Sequence, residues 1–204
     1  NLDYIKNGTC YFVDGNSCDV DTIILCTGYQ HKFPFLEDKL TIKTNNNLCP
    51  DMLWKGISHI HYPNLFYIGM QDQWFTFNMF DAQAWYIRDI ILGKKTIPNL
   101  ENRLLQLRME QSNYHGIDID DASQIRYQAD YIKYLIGQTD YPDFDIEGII
   151  NCFLEWEDHK HKDIMTFRDK SHTSLMTGHR ASKHNRSWLS ETDDTLKNFI
   201  KSKI

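Results

Sequence analysis

Residues 65–85, with the sequence LFYIGMQDQWFTFNMFDAQAW, decide the fold class. The apolar run at 65–70, introduced by Pro63 and Asn64, is typical of a buried strand. A polar and aromatic loop follows it. We expect Asp81 to cap a helix that runs to about Leu92 and is ended by Gly93. A buried strand, a loop and a capped helix in this order indicate an α/β fold.

The residues upstream extend the predicted sheet. Residues 9–13 favour a strand, and residues 14–16 (DGN) favour a tight turn because Gly and Asn tolerate positive φ. Residues 20–26 begin polar and become continuously apolar, as a central strand covered on both faces does. This strand ends in Thr27-Gly28 at a carboxyl edge, where ligands bind in open α/β sheets. A glycine-terminated strand in any α/β protein is the alternative, and these residues alone favour it.

Downstream of residue 95 the pattern becomes helical. An apolar stripe follows Pro98-Asn99, and a capping box at Asp121 and Gln124 opens a helix that ends at Gly137. Asp145 is expected to cap a further helix. Residues 163–188 are irregular in pattern, and residues 190–204 favour a short final helix. The stripes consist of Leu100, Leu104 and Leu107; of Ile125, Ala129, Ile132 and Ile136; and of Ile146, Ile149, Ile150, Phe153 and Leu154.

Composition excludes several classes of protein. The 204 residues include 41% hydrophobic and 25% charged residues, so a packed core is expected. The net charge of −6 argues against nucleic acid and against an anionic membrane surface as partners. The five cysteines form no CxxC pair, which favours reduced thiols in the cytoplasm over disulfides or a zinc site. No apolar stretch approaches the roughly 20 residues that a membrane span needs.

The loop at 71–80 is the strongest candidate site. Gln73 can donate and accept hydrogen bonds, and Trp74, Phe75 and Phe77 can wall a flat ring. A following helix N-terminus would favour an electron-rich ring edge such as that of a reduced flavin. Burying this many polar groups without partners is costly, which favours a ligand site over an aromatic-rich core loop.

Three long strings carry a family resemblance. They are DVDTIILCTGYQHKFPFL at 19–36, YPNLFYIGMQDQWFTFNMFDAQAWY at 62–86, and RYQADYIKYLIGQTDYPDFDI at 126–146. Together with IMTFRDKSHTSLMTG at 164–178, they resemble the flavin-containing monooxygenases, and within that family the bacterial members that oxidise trimethylamine. The resemblance covers nearly the whole chain.

The resemblance implies the C-terminal part of a flavoprotein with two Rossmann-like dinucleotide-binding domains and a mostly helical C-terminal region. Residues 1–30 would end the NADPH-binding domain, residues 31–95 would complete the FAD domain, and residues 96–204 would form the helical region. None of the ten glycines forms a GxGxxG turn, and the family carries both such turns upstream. We therefore expect an incomplete fragment that is colourless and inactive alone.

The resemblance also implies an activity. The parent enzyme would use FAD, NADPH and O2 to convert a small tertiary amine, trimethylamine, to its N-oxide through a C4a-hydroperoxyflavin, and would be a cytoplasmic homodimer. No catalytic acid or base and no metal is expected. The implied contacts are Gln73, Thr76, Thr27 and Gly28 for FAD; Asn47 and Arg168 for NADP; and Asp72, Trp74 and Phe77 for the shape of the site.

Alternatives remain open from the sequence. The oxidised group could instead be a sulfide, another amine or a ketone. The alternative from another class of function is a non-catalytic assembly or interaction module. Arg168 could form an ion pair with Asp163 or Asp169 in place of a phosphate contact. His59 and His61 share a face if extended, but hydrogen-bonded or surface histidines are expected there rather than metal ligands.

Overall fold

The computed structural model of the chain describes residues 2–26, 28, 31–42, 48–118, 120–169, 171–175 and 178–180. The chain divides into two compact units, Asn1–Pro34 and Phe35–Ile204. The first is a small antiparallel sheet and the second is built mainly of helices. Strands and helices are therefore both present, as predicted, although the described strands are short and antiparallel.

The first unit is a three-stranded sheet with strands in chain order. Its strands are β1 (Leu2–Lys6), β2 (Thr9–Phe12) and β3 (Ser17–Asp19). Asn7 and Gly8 join β1 to β2 with φ of 50° and 83°, as a tight hairpin turn requires. Gly15, with φ of 83°, turns the chain between β2 and β3. The predicted strand at 9–13 and the turn at 14–16 are thus confirmed.

The predicted central strand at 20–26 is wrong. Residues 20–26 form no strand, and Ile24 and Leu25 are 81% and 77% exposed. One backbone bond ties the start of the segment to the sheet, from the Val20 N–H to the Gly8 carbonyl at 2.9 Å. An apolar run becomes a buried strand only where neighbouring strands and covering elements enclose it. The described residues of the first unit form no further strand beside this segment.

The first elements of the second unit are a 3-10 turn at Asp38–Leu40 and a small hairpin. Strands β4 (Leu53–Trp54) and β5 (Ser58–His59) pair around a turn at Lys55 and Gly56, with φ of 54° and 68°. A Cβ on Gly56 would lie 2.5 Å from the Gln71 amide nitrogen, so only glycine fits there.

The predicted strand at 65–70 is only a short extended segment. Phe66 makes a single bridge to Ser58, and the Tyr67 N–H bonds the Ile57 carbonyl at 2.8 Å. The chain then turns at Gly69, whose φ is 75°. A Cβ at Gly69 would collide with the Phe80 ring at 2.4 Å, so the turn needs glycine, and the turn ends the pairing.

Four helices follow the hairpin in the described residues. The sequence predicted all four, and it predicted apolar stripes for the last three of them. The helices are α1 (Thr76–Ile91), α2 (Leu100–His115), α3 (Asp121–Ile136) and α4 (Ile146–Lys162), and a 3-10 turn follows at Phe167–Asp169.

The ends of these helices agree with the sequence in part. The predicted N-cap at Asp145 is confirmed, since its side chain accepts from the Gly148 N–H. Asn99 is an N-cap that was not predicted, and it accepts from the Asn102 N–H. The predicted cap at Asp121 is wrong by one residue, because Asp120 accepts from the Ser123 N–H at 3.0 Å. The predicted start of α1 at Asp81 is also wrong, since α1 begins at Thr76. The predicted helix at 190–204 lies outside the described residues.

Helix α3 lies at the centre of the core. It packs against α1 on one side and α4 on another, while α2 packs against β4. Ile125, Ala129 and Ile132, which form the predicted stripe, are fully buried. No described helix combines the length and the apolar character needed to cross a bilayer.

Candidate functional site

The loop before α1 is held by a side chain from α3. Gln128 is 2% exposed, and its carbonyl oxygen accepts from the N–H groups of Trp74 at 2.6 Å and Phe75 at 2.8 Å. Its amide nitrogen donates to the Asp72 carbonyl at 2.6 Å. Gln128 therefore caps the N-terminus of α1, although no side chain within α1 does. The sequence contained no local signal for this contact.

A second buried network holds the start of the loop. The side-chain nitrogen of Gln83 donates to the side-chain oxygen of Gln71 and to the Tyr131 hydroxyl. The side-chain oxygen of Gln83 accepts from the backbone N–H of Gly69 at 2.9 Å. The Tyr131 hydroxyl in turn donates to the Lys55 carbonyl at 2.8 Å. Part of the loop's polarity is thus satisfied inside the protein. The prediction that the polar groups of the loop need a ligand is therefore wrong for Gln71, whose partner is Gln83.

The outer side of the loop is polar and aromatic at the surface. Gln73 is exposed, and its amide nitrogen donates to the Gly69 carbonyl at 2.8 Å. One further N–H and the carbonyl oxygen of this amide can serve a ligand. Phe77 is 80% exposed in the first turn of α1, next to the half-buried Thr76. A large aromatic side chain this exposed indicates a surface that binds a ligand or another part of a protein.

Phe75 does not belong to this outer side. Its side chain is 2% exposed and packs against Phe153 of α4, with ring centroids 5.1 Å apart. The expectation that Phe75 walls a ligand is therefore wrong. Trp74 remains half-buried and meets the same Phe153 ring edge-on at 6.2 Å.

A groove opens beside Trp74, with a volume of about 420 Å³. Its walls come from the loop, from α4 and from the segment after the 3-10 turn, and they are mostly apolar. The lining residues are Gln73, Trp74, Cys152, Phe153, Trp156 and His172. Sequence reasoning missed Trp156, on α4, and His172, after the 3-10 turn, because both lie far from the loop in the sequence.

One residue of the groove wall, His172, has a buried polar atom without a partner. The Nε2 atom of His172 is buried and makes no hydrogen bond to the described residues. A buried polar group of this kind is costly unless a ligand or water satisfies it. Burial also raises the pKa of the Cys152 thiol, which keeps it neutral and disfavours a nucleophilic role.

Arg168 lies one contact away from the groove. Its guanidinium stacks on the Phe167 ring, with Cζ 4.4 Å from the centroid, and is exposed. Phe167 packs against Trp156 at 5.0 Å, so Arg168 is connected to the groove wall. Asp163, one suggested ion-pair partner, instead accepts from the Met165 N–H at 3.0 Å and from the Thr166 hydroxyl. The guanidinium remains accessible to an anion.

Three predicted cofactor contacts cannot be placed against this site. Thr27 and Asn47 lie outside the described residues. Gly28 belongs to the first unit, where it is exposed with φ of 76°, and a Cβ added there would meet no described atom within 4 Å. Backbone conformation thus accounts for glycine at this position.

The histidines are explained by local structure. His59 is fully buried, and its Nδ1 accepts from the backbone N–H groups of His61 and Tyr62 at 3.2 Å. Among the described residues, one group has metal-ligand spacing: Asp121, Glu157 and His161. The Lys160 ammonium bonds both Glu157 carboxylate oxygens, at 3.0 and 3.1 Å, and so neutralises the buried member of that group.

Comparison with known sequences defines the class of protein. The model of the flavin-binding monooxygenase-like family matches residues 1–142, and the chain therefore belongs to this family. The match includes the loop at 71–80 and α1, although it ends before α4 and the groove wall that α4 supplies.

Particular relatives are more similar still. The chain is 48% identical over 201 residues to the trimethylamine monooxygenase of Roseovarius nubinhibens and 46% identical over 201 residues to that of Methylocella silvestris. These alignments cover 98% and 97% of this chain. They cover only 45% and 44% of the relatives, so the chain spans less than half of their length.

Solved structures agree with the family. The crystal structure of Tmm from Pelagibacter sp. strain HTCC7211 superimposes with a TM-score of 0.84 at 41% identity, covering 97% of this chain and 45% of that one. The S-allyl-L-cysteine S-oxygenase of Allium sativum superimposes with a TM-score of 0.64 at 22% identity, over 83% of this chain and 39% of that one, which shows a shared fold.

Proposed function

We propose that this chain belongs to an FAD- and NADPH-dependent monooxygenase that oxygenates the nitrogen of small tertiary amines, converting trimethylamine to its N-oxide. The observation that carries the proposal is the groove beside Trp74. It combines aromatic walls with an exposed amide at Gln73. The trimethylamine monooxygenases among its relatives support the choice of substrate.

The residues on the outer side of the loop fit a flavin. Gln73 offers a donor and an acceptor, which suits the alternating carbonyl and N–H groups of the pyrimidine edge. Phe77 is 80% exposed and can cover one face of a flat ring. Thr76 opens α1, where the first N–H groups have no partner inside the helix and favour negative charge. Thr27 and Gly28 are proposed as further FAD contacts.

The protein's part in the reaction is to position groups and exclude water. The flavin, reduced by NADPH, supplies the chemistry that activates oxygen. Gln128 fixes the backbone at Asp72, Trp74 and Phe75, so the aromatic walls keep one arrangement while the reactants meet. A water-poor groove would strengthen the polar contacts inside it and would protect reactive intermediates from side reactions with water.

Arg168 is proposed to bind a phosphate of NADP. A guanidinium pairs with phosphate through parallel hydrogen bonds, and the stacking on Phe167 orients its plane. Asn47 is proposed as a second contact with the nicotinamide cofactor. Domain bounds at 1–30, 31–95 and 96–204, and a homodimer built in part on the helical region, complete the proposal.

The groove suits a small apolar amine. Trp74, Phe153 and Trp156 present aromatic surface, which packs favourably against the methyl groups of a small tertiary amine. The same walls would admit a dialkyl sulfide, which is the competing substrate class.

Product analysis tests the function. The protein expressed from its complete gene should oxidise NADPH in the presence of trimethylamine and form its N-oxide, detected by mass spectrometry. Good oxidation of dimethyl sulfide without turnover of trimethylamine would overturn the substrate assignment. No bound FAD and no NADPH oxidation with either substrate would instead favour a non-catalytic assembly module.

A variant pair ties the activity to the groove. Trp156→Ala removes one wall, and we expect kcat/KM for trimethylamine to fall by at least about tenfold, since a misplaced substrate loses the benefit of orientation. Leu105→Ala, on the exposed side of α2, is the matched control and should retain activity. Equal activity of both variants, with circular dichroism spectra like that of the wild type, would rule out the groove as the substrate site.

A further inference from the structure

A second cavity lies on the inner side of the loop, away from the groove. Its volume is about 230 Å³, and it is bounded by residues 48–50, by α2 and by α3. The side chain of Gln71 forms part of its wall, and the fixed turn at Gly56 forms another. The polar and aromatic residues that line it are Cys49, Gln71, Glu110, Asn113, Tyr127, Asp130, Tyr131 and Tyr134.

Glu110 is the unusual member of this wall. It is half-buried, and within the described part of the chain its carboxyl group makes no hydrogen bond and no ion pair. Burial raises its pKa from 4.5 to about 7, although the charge of Lys55 acts in the opposite direction. A carboxylate in such a position is costly and is stabilised when a cation enters beside it.

Three tyrosines from α3 complete the wall. Tyr127, Tyr131 and Tyr134 follow one another at helical spacing and so share the face that borders the cavity. The faces of aromatic rings attract cations, especially alkylammonium groups. Lys55 already shows this attraction, because its Nζ lies 3.9 Å from the centroid of Tyr134.

Lys55 acts on Glu110 through its charge but does not bond to it. Its ammonium is directed to the Tyr134 hydroxyl and lies 5.3 and 5.5 Å from the ring centroids of Trp54 and Tyr86. No ion pair joins Lys55 to Glu110 in the described part of the chain. The carboxyl therefore remains for a cation that comes from solution, and Asp130, exposed at the rim, adds negative charge to the entrance.

We propose that this cavity is a binding site for a small alkylammonium cation, held between the Glu110 carboxylate and the rings of Tyr127 and Tyr131. The volume accommodates a quaternary ammonium ion with four methyl groups. The site is separate from the groove beside Trp74 and does not rest on the proposed function.

Titration with tetramethylammonium chloride tests the site, because this ion has no lone pair and cannot be oxygenated. Isothermal titration calorimetry on the protein expressed from its complete gene should give saturable binding, with a dissociation constant on the order of 1 mM. The neutral analogue tert-butanol should bind at least about tenfold more weakly, because it lacks the charge.

Variants locate the binding. Glu110→Gln keeps the shape of the side chain and removes the charge, and it should weaken binding by at least about tenfold. Glu101→Gln, at an exposed position on the same helix, is the matched control and should bind like the wild type. Wild-type affinity in Glu110→Gln, or no saturable binding to the wild type, would overturn the proposal.

The pH dependence of binding gives a test without a variant. Affinity for tetramethylammonium should fall as the pH is lowered below about 7, where Glu110 takes up a proton. Constant affinity between pH 8 and pH 5.5 would contradict a role for Glu110. The charged or titratable groups near Glu110 are Lys55, Asp51, Cys49, Tyr127, Asp130, Tyr131 and Tyr134.

Discussion

Two apolar stretches of this chain differ in burial. Ile24 and Leu25 lie at the surface of the first unit, 81% and 77% exposed, whereas Ile125 and Ile132 of α3 are fully buried. Both stretches looked like core in the sequence. The difference is the surface that surrounds them, because α1 and α4 enclose α3 while no described strand pairs with residues 20–26.

The largest expected effect tests this contrast directly. Ile132→Ala should lower the free energy of unfolding by about 2–4 kcal/mol, because it removes buried methyl groups and leaves a cavity. Ile24→Ala in the same chain should change it by less than about 0.5 kcal/mol. Urea denaturation followed by circular dichroism measures both. Similar losses for the two variants would mean that residues 20–26 are packed after all.

The same comparison between buried and exposed positions can be made for side-chain amides. Gln128→Ala removes the bonds to Trp74, Phe75 and Asp72, leaves buried backbone groups unpaired, and should cost about 1–3 kcal/mol. Gln138→Ala removes one exposed bond to the Tyr134 carbonyl and should cost less than about 0.5 kcal/mol. If thermal melts give equal shifts in Tm for both variants, Gln128 does not hold the loop.

Charged groups give the smallest expected effect. The pKa of Glu110 is raised from 4.5 to about 7 by burial, so between these pH values the folded chain keeps a proton that the unfolded chain has lost. The free energy of unfolding should therefore fall as the pH rises from 4.5 to 7, by about 1 kcal/mol after allowance for partial exposure. Glu110→Gln should flatten this dependence, whereas Glu101→Gln should keep it. An unchanged slope in Glu110→Gln would refute the shift.

The sequence predicted most of the helical region. The stripes of α2 to α4, the cap at Asp145, and the terminating Gly93 and Gly137 are local signals that a short stretch of sequence carries. Boundary errors arose where a partner from elsewhere in the chain decided the end. Helix α1 begins at Thr76 rather than Asp81 because Gln128 satisfies the preceding N–H groups.

The candidate site was predictable only in part. Gln73, Trp74 and Phe77 stand out because polar and aromatic residues alternate in a short loop, and the structure places all three on or beside its outer side. Phe75 carries the same kind of side chain but faces the core, which a loop without regular periodicity cannot reveal. Trp156 reaches the groove through the packing of α4, which no local pattern encodes.

The affinity for FAD tests the central claim most directly. In the protein expressed from its complete gene, Gln73→Ala removes the amide proposed to bond the flavin edge, and the dissociation constant for FAD should rise by about tenfold. Gln138→Ala should bind FAD like the wild type. Fluorescence titration of the apoprotein measures both constants. Equal affinity of Gln73→Ala and the wild type would contradict the assignment of the loop before α1 as a wall of the flavin site.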